Sequence, residues 1–253
     1  MWALIKEDEA LDKCEQYMVD LKWSTEDTGK ILSNKILSYY LSTNPQNENY
    51  LNLKKLYPYT QSKVFDLVFN GKFPWGKQSL DPFRPIHILS AGRPRWAAQL
   101  CKMAAGEAYA KNNDRISIGH INAVMFNYGK FRLSDLYKEH MHQCKQLKII
   151  IESFRNGKKE YTSAELLQYI NDRVINALTD PIEIENIAVQ DPIEIAHFLY
   201  RIGFITLDDP SFENGESYIR FEDIPDLLIP ANYNAEDIWA IHPSYRAVLH
   251  LSR

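Results

Sequence analysis

Cysteine is scarce in this chain. There are three in 253 residues, Cys14, Cys101 and Cys144. They are far apart and odd in number, so no disulfide framework is spelled out and reduced thiols are expected. Long apolar runs are missing too. None approaches the roughly 18 residues a membrane span needs, and Met1-Trp2 opens directly into mixed polar and apolar sequence without a leader pattern. A cytoplasmic protein with no membrane partner is the expectation. No G-x-x-x-x-G-K-(S/T) occurs, since Gly71-Lys72 and Gly76-Lys77 lack its spacing. No four-residue apolar run ends in an acidic pair, because Leu207-Asp208-Asp209 falls in a turn. The phosphate cradle and Mg²⁺ ligand of phosphoryl transfer are therefore not written here. Neither is a G-x-S-x-G nucleophile turn. The chain is expected not to be an enzyme and to hold no cofactor or metal, with ATP or ADP relevant only if another chain or a longer one supplies a P-loop.

What is present is an ordinary globular composition, 45% hydrophobic, with a net charge of −4. The charge is unevenly spread. Residues 1–145 are net +5 and residues 146–253 net −9. A basic part joined to an acidic part suggests modules with different surfaces.

Helix signals dominate the chain. Residues 2–20 carry a loose apolar stripe with Leu4, Leu11 and Met18. Ser24 or Thr25 caps a second helix bearing Leu32, Ile36 and Tyr40, which Asn44-Pro45 ends. Shorter helices are expected near Leu51–Tyr57 and Thr60–Phe69. Between them and Gly92 lie an aromatic turn over 71–76, an extended connection around Pro82 and Pro85, and the end of a helix at Ile86–Leu89. Further on, 117–128 reads as a helix, 128–132 as a bend, and Leu133–Phe154 as one long helix or two.

The chain centres on Gly92-Arg93-Pro94-Arg95-Trp96. A turn opens a helix whose Trp96, Leu100, Met103, Ala104 and Ala108 recur at spacings of three and four. Arg93 and Arg95 oppose the helix dipole at that end, so helix stability does not account for them; something negative within reach does. A polar turn and Ile116-Ser117-Ile118-Gly119-His120-Ile121 follow. This cadence resembles the helical lid of AAA+ and STAND-type P-loop ATPases. The resemblance implies that Arg95, with Arg93 beside it, senses nucleotide through its phosphates. Leu21-Lys22-Trp23-Ser24 and Ile36–Leu41 are similar to the end of the nucleotide-binding domain in STAND proteins.

After the Asn156-Gly157 turn the pattern changes. Thr162-Ser163 starts a capped helix, Asp191-Pro192 starts another that stops at Gly203, and Phe204–Leu207 with Ser217–Phe221 reads as a β-hairpin. That is the order of a winged helix. Its third helix carries Asp191 and Glu194, with Arg201 near the end, and the hairpin turn is acidic. Such a surface repels phosphate and favours docking to a protein. His140 and Cys144 share a helix face, but two ligands do not close a zinc site.

The expected architecture is mostly α: a segment over 1–60, a lid-like helical bundle over 61–145 and a winged-helix domain over 146–253. The expected function is a non-catalytic regulatory region of a STAND-like ATPase, with Arg95 and Arg93 sensing nucleotide. Asp191, Glu194 and Arg201 would meet a protein partner or an intramolecular ATPase domain. The alternative is a free-standing winged-helix protein that binds nucleic acid.

Overall fold

The structure, a computed structural model, describes residues 23–76, 78–209 and 218–252. The helix expected over 2–20 lies outside them, as do Glu213 and Glu216 of the hairpin turn. The described chain is mostly helical, with small antiparallel sheets.

Helix α1 spans Thr25–Thr43. Ser24 caps it reciprocally: its Oγ accepts from the Asp27 N–H at 3.1 Å, and the Asp27 carboxylate accepts from the Ser24 N–H at 3.2 Å. Helices α2 (Glu48–Lys55) and α3 (Gln61–Phe65) pack against it. The aromatic turn proves to be a hairpin, β1 (Phe73–Trp75) with β2 (Gln78–Leu80). Helix α4 covers Phe83–Leu89, so the helix end expected at Ile86–Leu89 is present and the part expected to be extended, around Pro82 and Pro85, is its start. Pro85 falls in its first turn, where a missing N–H breaks no helical bond. Helix α5 covers Pro94–Ala110, after Gly92 at φ +69°.

Helix α6, Ile118–His140, is the longest element among the described residues and runs unbroken through the expected bend at 128–132. Gly129 marks close packing there. A Cβ on it would stand 2.8 Å from the Ser244 carbonyl oxygen and 2.9 Å from Val248. The helix ends at His140, and a separate α7 covers Leu147–Ser153.

Then follow β3 (Glu160–Thr162) and α8 (Ser163–Ile170), capped by Thr162 and Glu165. Next come the hairpin β4 (Ile182–Ile184) and β5 (Ile187–Val189), and α9 (Pro192–Arg201). The chain closes with β6 (Ile205–Asp208), β7 (Tyr218–Ile219), β8 (Ile238–Ile241) and α10 (Pro243–Arg246). The expected hairpin is β6 with β7, Leu207 facing Ile219. The four-stranded sheet runs β3-β8-β6-β7, which puts β8 in its interior with Trp239 opposite both Tyr161 and Leu207.

Two main apolar cores result. One gathers Phe65, Phe69, Phe83, Leu100 and Ile121; the other gathers Leu147, Phe154, Leu199, Phe204 and Trp239. Helix α6 belongs to both. Ile121, Val124, Met125 and Tyr128 enter the first core, and Leu133 and Leu136 the second.

Candidate functional site: an arginine-lined seam

Between the two cores lies a small cavity of about 70 Å³. Its wall includes Arg93, Arg132, Arg201 and Arg220, with Glu139 and Glu222. The elements that supply them are far apart in sequence: the start of α5, the second half of α6, the end of α9 and the segment after β7.

Three of these arginines have carboxylate partners. Arg93 donates to both oxygens of Glu139, at 3.1 and 2.9 Å, and lies 4.3 Å above the Trp96 ring. Arg201 donates to Glu185 at 2.8 Å, on the turn of the β4–β5 hairpin. Arg220 lies 3.4 Å from Asp223. Its guanidinium also crowds Gly92, where a Cβ would stand 2.6 Å from Nη1. So Gly92 has two reasons to be glycine, its positive φ and this approach.

Arg132 differs. It is 2% exposed, stacks on the face of Trp96, and donates from Nη2 to the Tyr245 hydroxyl at 3.3 Å. Nε and Nη1 have no hydrogen-bond partner, and among the described residues no carboxylate pairs with it. Burial pulls its pKa below the ordinary guanidinium value. Arginine still keeps its proton in a folded protein, so this is a buried cation with no carboxylate in hydrogen-bonding contact; Glu139, already bound to Arg93, attracts it only through space.

The histidines around the seam do not supply one. The His242 ring is fully enclosed, and its Nδ1 accepts the Ser244 N–H at 3.3 Å. Burial, then Arg132, Arg246 and Arg220, hold it well below the usual imidazole range, while a bond to the Ile88 backbone opposes them. His87 pairs through Nδ1 with Thr28 at 2.7 Å, and burial with Arg220 lowers its pKa to about 4. Both rings are neutral at pH 7.

A consequence for stability follows. The unfolded chain takes up the His87 proton near pH 6.5, the folded chain only near pH 4. Between those values the unfolded state binds more protons, so stability falls as pH falls. The full loss is about 3 kcal/mol for His87. Urea unfolding at pH 7 and pH 4.5 should show the decline, and His87→Gln should flatten it. A wild-type slope that the variant leaves unchanged would place the acid sensitivity elsewhere.

Of the residues expected to carry function, the seam brings together Arg93 and Arg201. Arg95 lies outside it, 82% exposed and 3.5 Å from Asp135. The negative groups that these two helix-start arginines meet are thus Glu139 and Asp135 of α6. Asp191 caps α9, accepting from the Ile193 N–H at 3.0 Å, and Glu194 is exposed beside it. The rest of α9 is largely covered, with Ile193, Ile195, Ala196, Phe198, Leu199 and Tyr200 buried. The Tyr200 hydroxyl is bound to the Ile224 carbonyl at 2.8 Å. Arg132, Arg220 and His242 were not anticipated. Arg132 sits four residues from both Tyr128 and Leu136, a charge in a row of buried positions, and that row is visible only once α6 is known to be continuous.

His140 bonds Gln143 at 2.9 Å and Cys144 is buried. Among the described residues no three His, Cys, Asp or Glu side chains converge as metal ligands would, and no helix is long and apolar enough to cross a membrane. No known protein family matches the chain, and no curated protein or solved structure matches it.

Proposed function

We propose that this chain is a non-catalytic regulatory module whose two halves meet on a small anion held by Arg132. The observation that carries this is the buried guanidinium with two unpartnered nitrogens on the wall of a 70 Å³ cavity. A buried charge short of hydrogen-bond partners costs several kcal/mol, and an anion that accepts from Nε and Nη1 offsets that cost beyond what the through-space attraction of Glu139 supplies. The cavity is far smaller than the roughly 300–1,000 Å³ of sites that enclose whole ligands. It suits one phosphate-sized group, free or at the end of a nucleotide.

This reading keeps the likeness to an AAA+ or STAND lid and moves its sensing role from Arg95 to Arg93, which lines the cavity. What supports a winged-helix-like arrangement in the C-terminal half is the succession α7, β3, α8, α9 and the β6–β7 hairpin, from which it departs by the β4–β5 hairpin between α8 and α9 and by β8 between β3 and β6 in the sheet. The burial of α9 and its acidic exposed end favour a protein partner over nucleic acid, because a DNA-reading helix must offer side chains to base edges and phosphates.

The test is thermal unfolding at matched ionic strength with chloride, sulfate, inorganic phosphate, ADP or ATP. Phosphate should raise the melting temperature saturably, as RT ln(1 + [L]/Kd) requires. Stabilisation by ATP or ADP well below the phosphate concentration needed would assign a nucleotide's terminal phosphate. No shift with any of them rejects the anion reading.

A further inference from the structure

A second site lies on the outer face of α6. Phe126, Lys130, Leu133, Tyr137 and Met141 form one stripe along it, at spacings of four, three, four and four. With Lys148 and Arg155 at its edge, this stripe lines an open groove of about 610 Å³. Fifteen residues of helix rise about 22 Å. The stripe on α6 is therefore about as long as four turns of another helix.

Its chemistry is specific. Leu133, Tyr137 and Val248 are apolar wall, and Phe126 and Met141 stay 38% and 44% exposed. The basic groups are Lys130, Lys138, Lys148 and Arg155, against one carboxylate, Glu152. Arg155 already holds that carboxylate at 2.6 Å. Among the described residues, Lys130, Lys138 and Lys148 have no carboxylate partner, and Lys130 rests 4.5 Å over the Phe126 ring. The Tyr137 hydroxyl is buried with no hydrogen-bond partner. Three ammonium groups without carboxylate partners among the described residues, beside an apolar channel, ask for a ligand with its own apolar stripe and carboxylates beside it.

We propose that this groove binds an acidic amphipathic helix of a protein partner. Its apolar residues, three and four apart, would lie along Phe126, Tyr137 and Met141, and its Asp or Glu side chains would meet Lys130, Lys138 and Lys148. This is recognition of a helix in a groove, with opposite charge fixing orientation and register.

The experiment is fluorescence polarisation on the full chain. The probe is a labelled helix-forming peptide with leucines at spacings of three and four and glutamates flanking them. Saturable binding is expected, weakening with salt. Lys138→Glu with Lys148→Glu should weaken it about tenfold or more, since two attractions become repulsions. Lys35→Glu, an exposed change on α1, should leave it unchanged. Four results would overturn the proposal: no binding, equal binding of a glutamine-for-glutamate peptide, indifference to the groove variants, or displacement of the peptide by a second copy of the chain in a concentration-dependent dimer.

Discussion

Arg132→Met is expected to make the chain more stable in phosphate-free buffer, by about 1–4 kcal/mol. The substitution keeps an unbranched, shorter apolar side chain and removes a charge that lies 2% exposed with two nitrogens unpartnered. It gives up one hydrogen bond, from Nη2 to the Tyr245 hydroxyl at 3.3 Å. It also gives up the cationic contact with Trp96, worth about 2 kcal/mol when desolvated. Against these stands the desolvation of a whole guanidinium. Urea unfolding with and without phosphate decides the matter. The wild type should gain stability from phosphate and the variant should not, so that the two converge as phosphate rises. A variant less stable than wild type in both buffers would mean that the arginine already has its counter-charge within the fold.

The largest loss is expected from Trp239→Ala. Trp239 is 1% exposed and sits in the inner strand β8, opposite Tyr161 and Leu207. Its ring packs edge-on against Tyr200, and its indole N–H donates to Ser163 at 2.9 Å. Truncation removes the ring, leaves a cavity and strands the Ser163 hydroxyl, at a cost of about 3–5 kcal/mol. Because α6 enters both cores, unfolding should remain one transition at a lower urea midpoint. Two separated transitions, the first moved and the second fixed, would show that the cores unfold independently.

Local chemistry was readable in advance. Ser24, Thr162, Asp191 with Pro192, and Gly92 with Pro94 each mark a helix end through a bond or a dihedral that involves only near neighbours. The features set by distant packing were hidden. Tyr128-Gly129-Lys130-Phe131-Arg132 reads as a bend because its glycine looks like a break. The glycine is there to admit Ser244 and Val248, more than a hundred residues away. Strand β8, Ile238-Trp239-Ala240-Ile241, has three consecutive buried residues, so it shows no polar alternation. The seam was half visible. Arg93 and Arg201 could be singled out as charges at helix ends, whereas Arg132 gains its meaning only from what surrounds it.

The shared helix also limits how this protein can be divided. A piece beginning at residue 146 would lack Leu133 and Leu136 and leave their places in the second core open to water. A piece ending at 145 would carry those leucines without partners. The halves are consequently not interchangeable cassettes, and whatever recombination produced or could rearrange this chain must carry α6 intact with both sides.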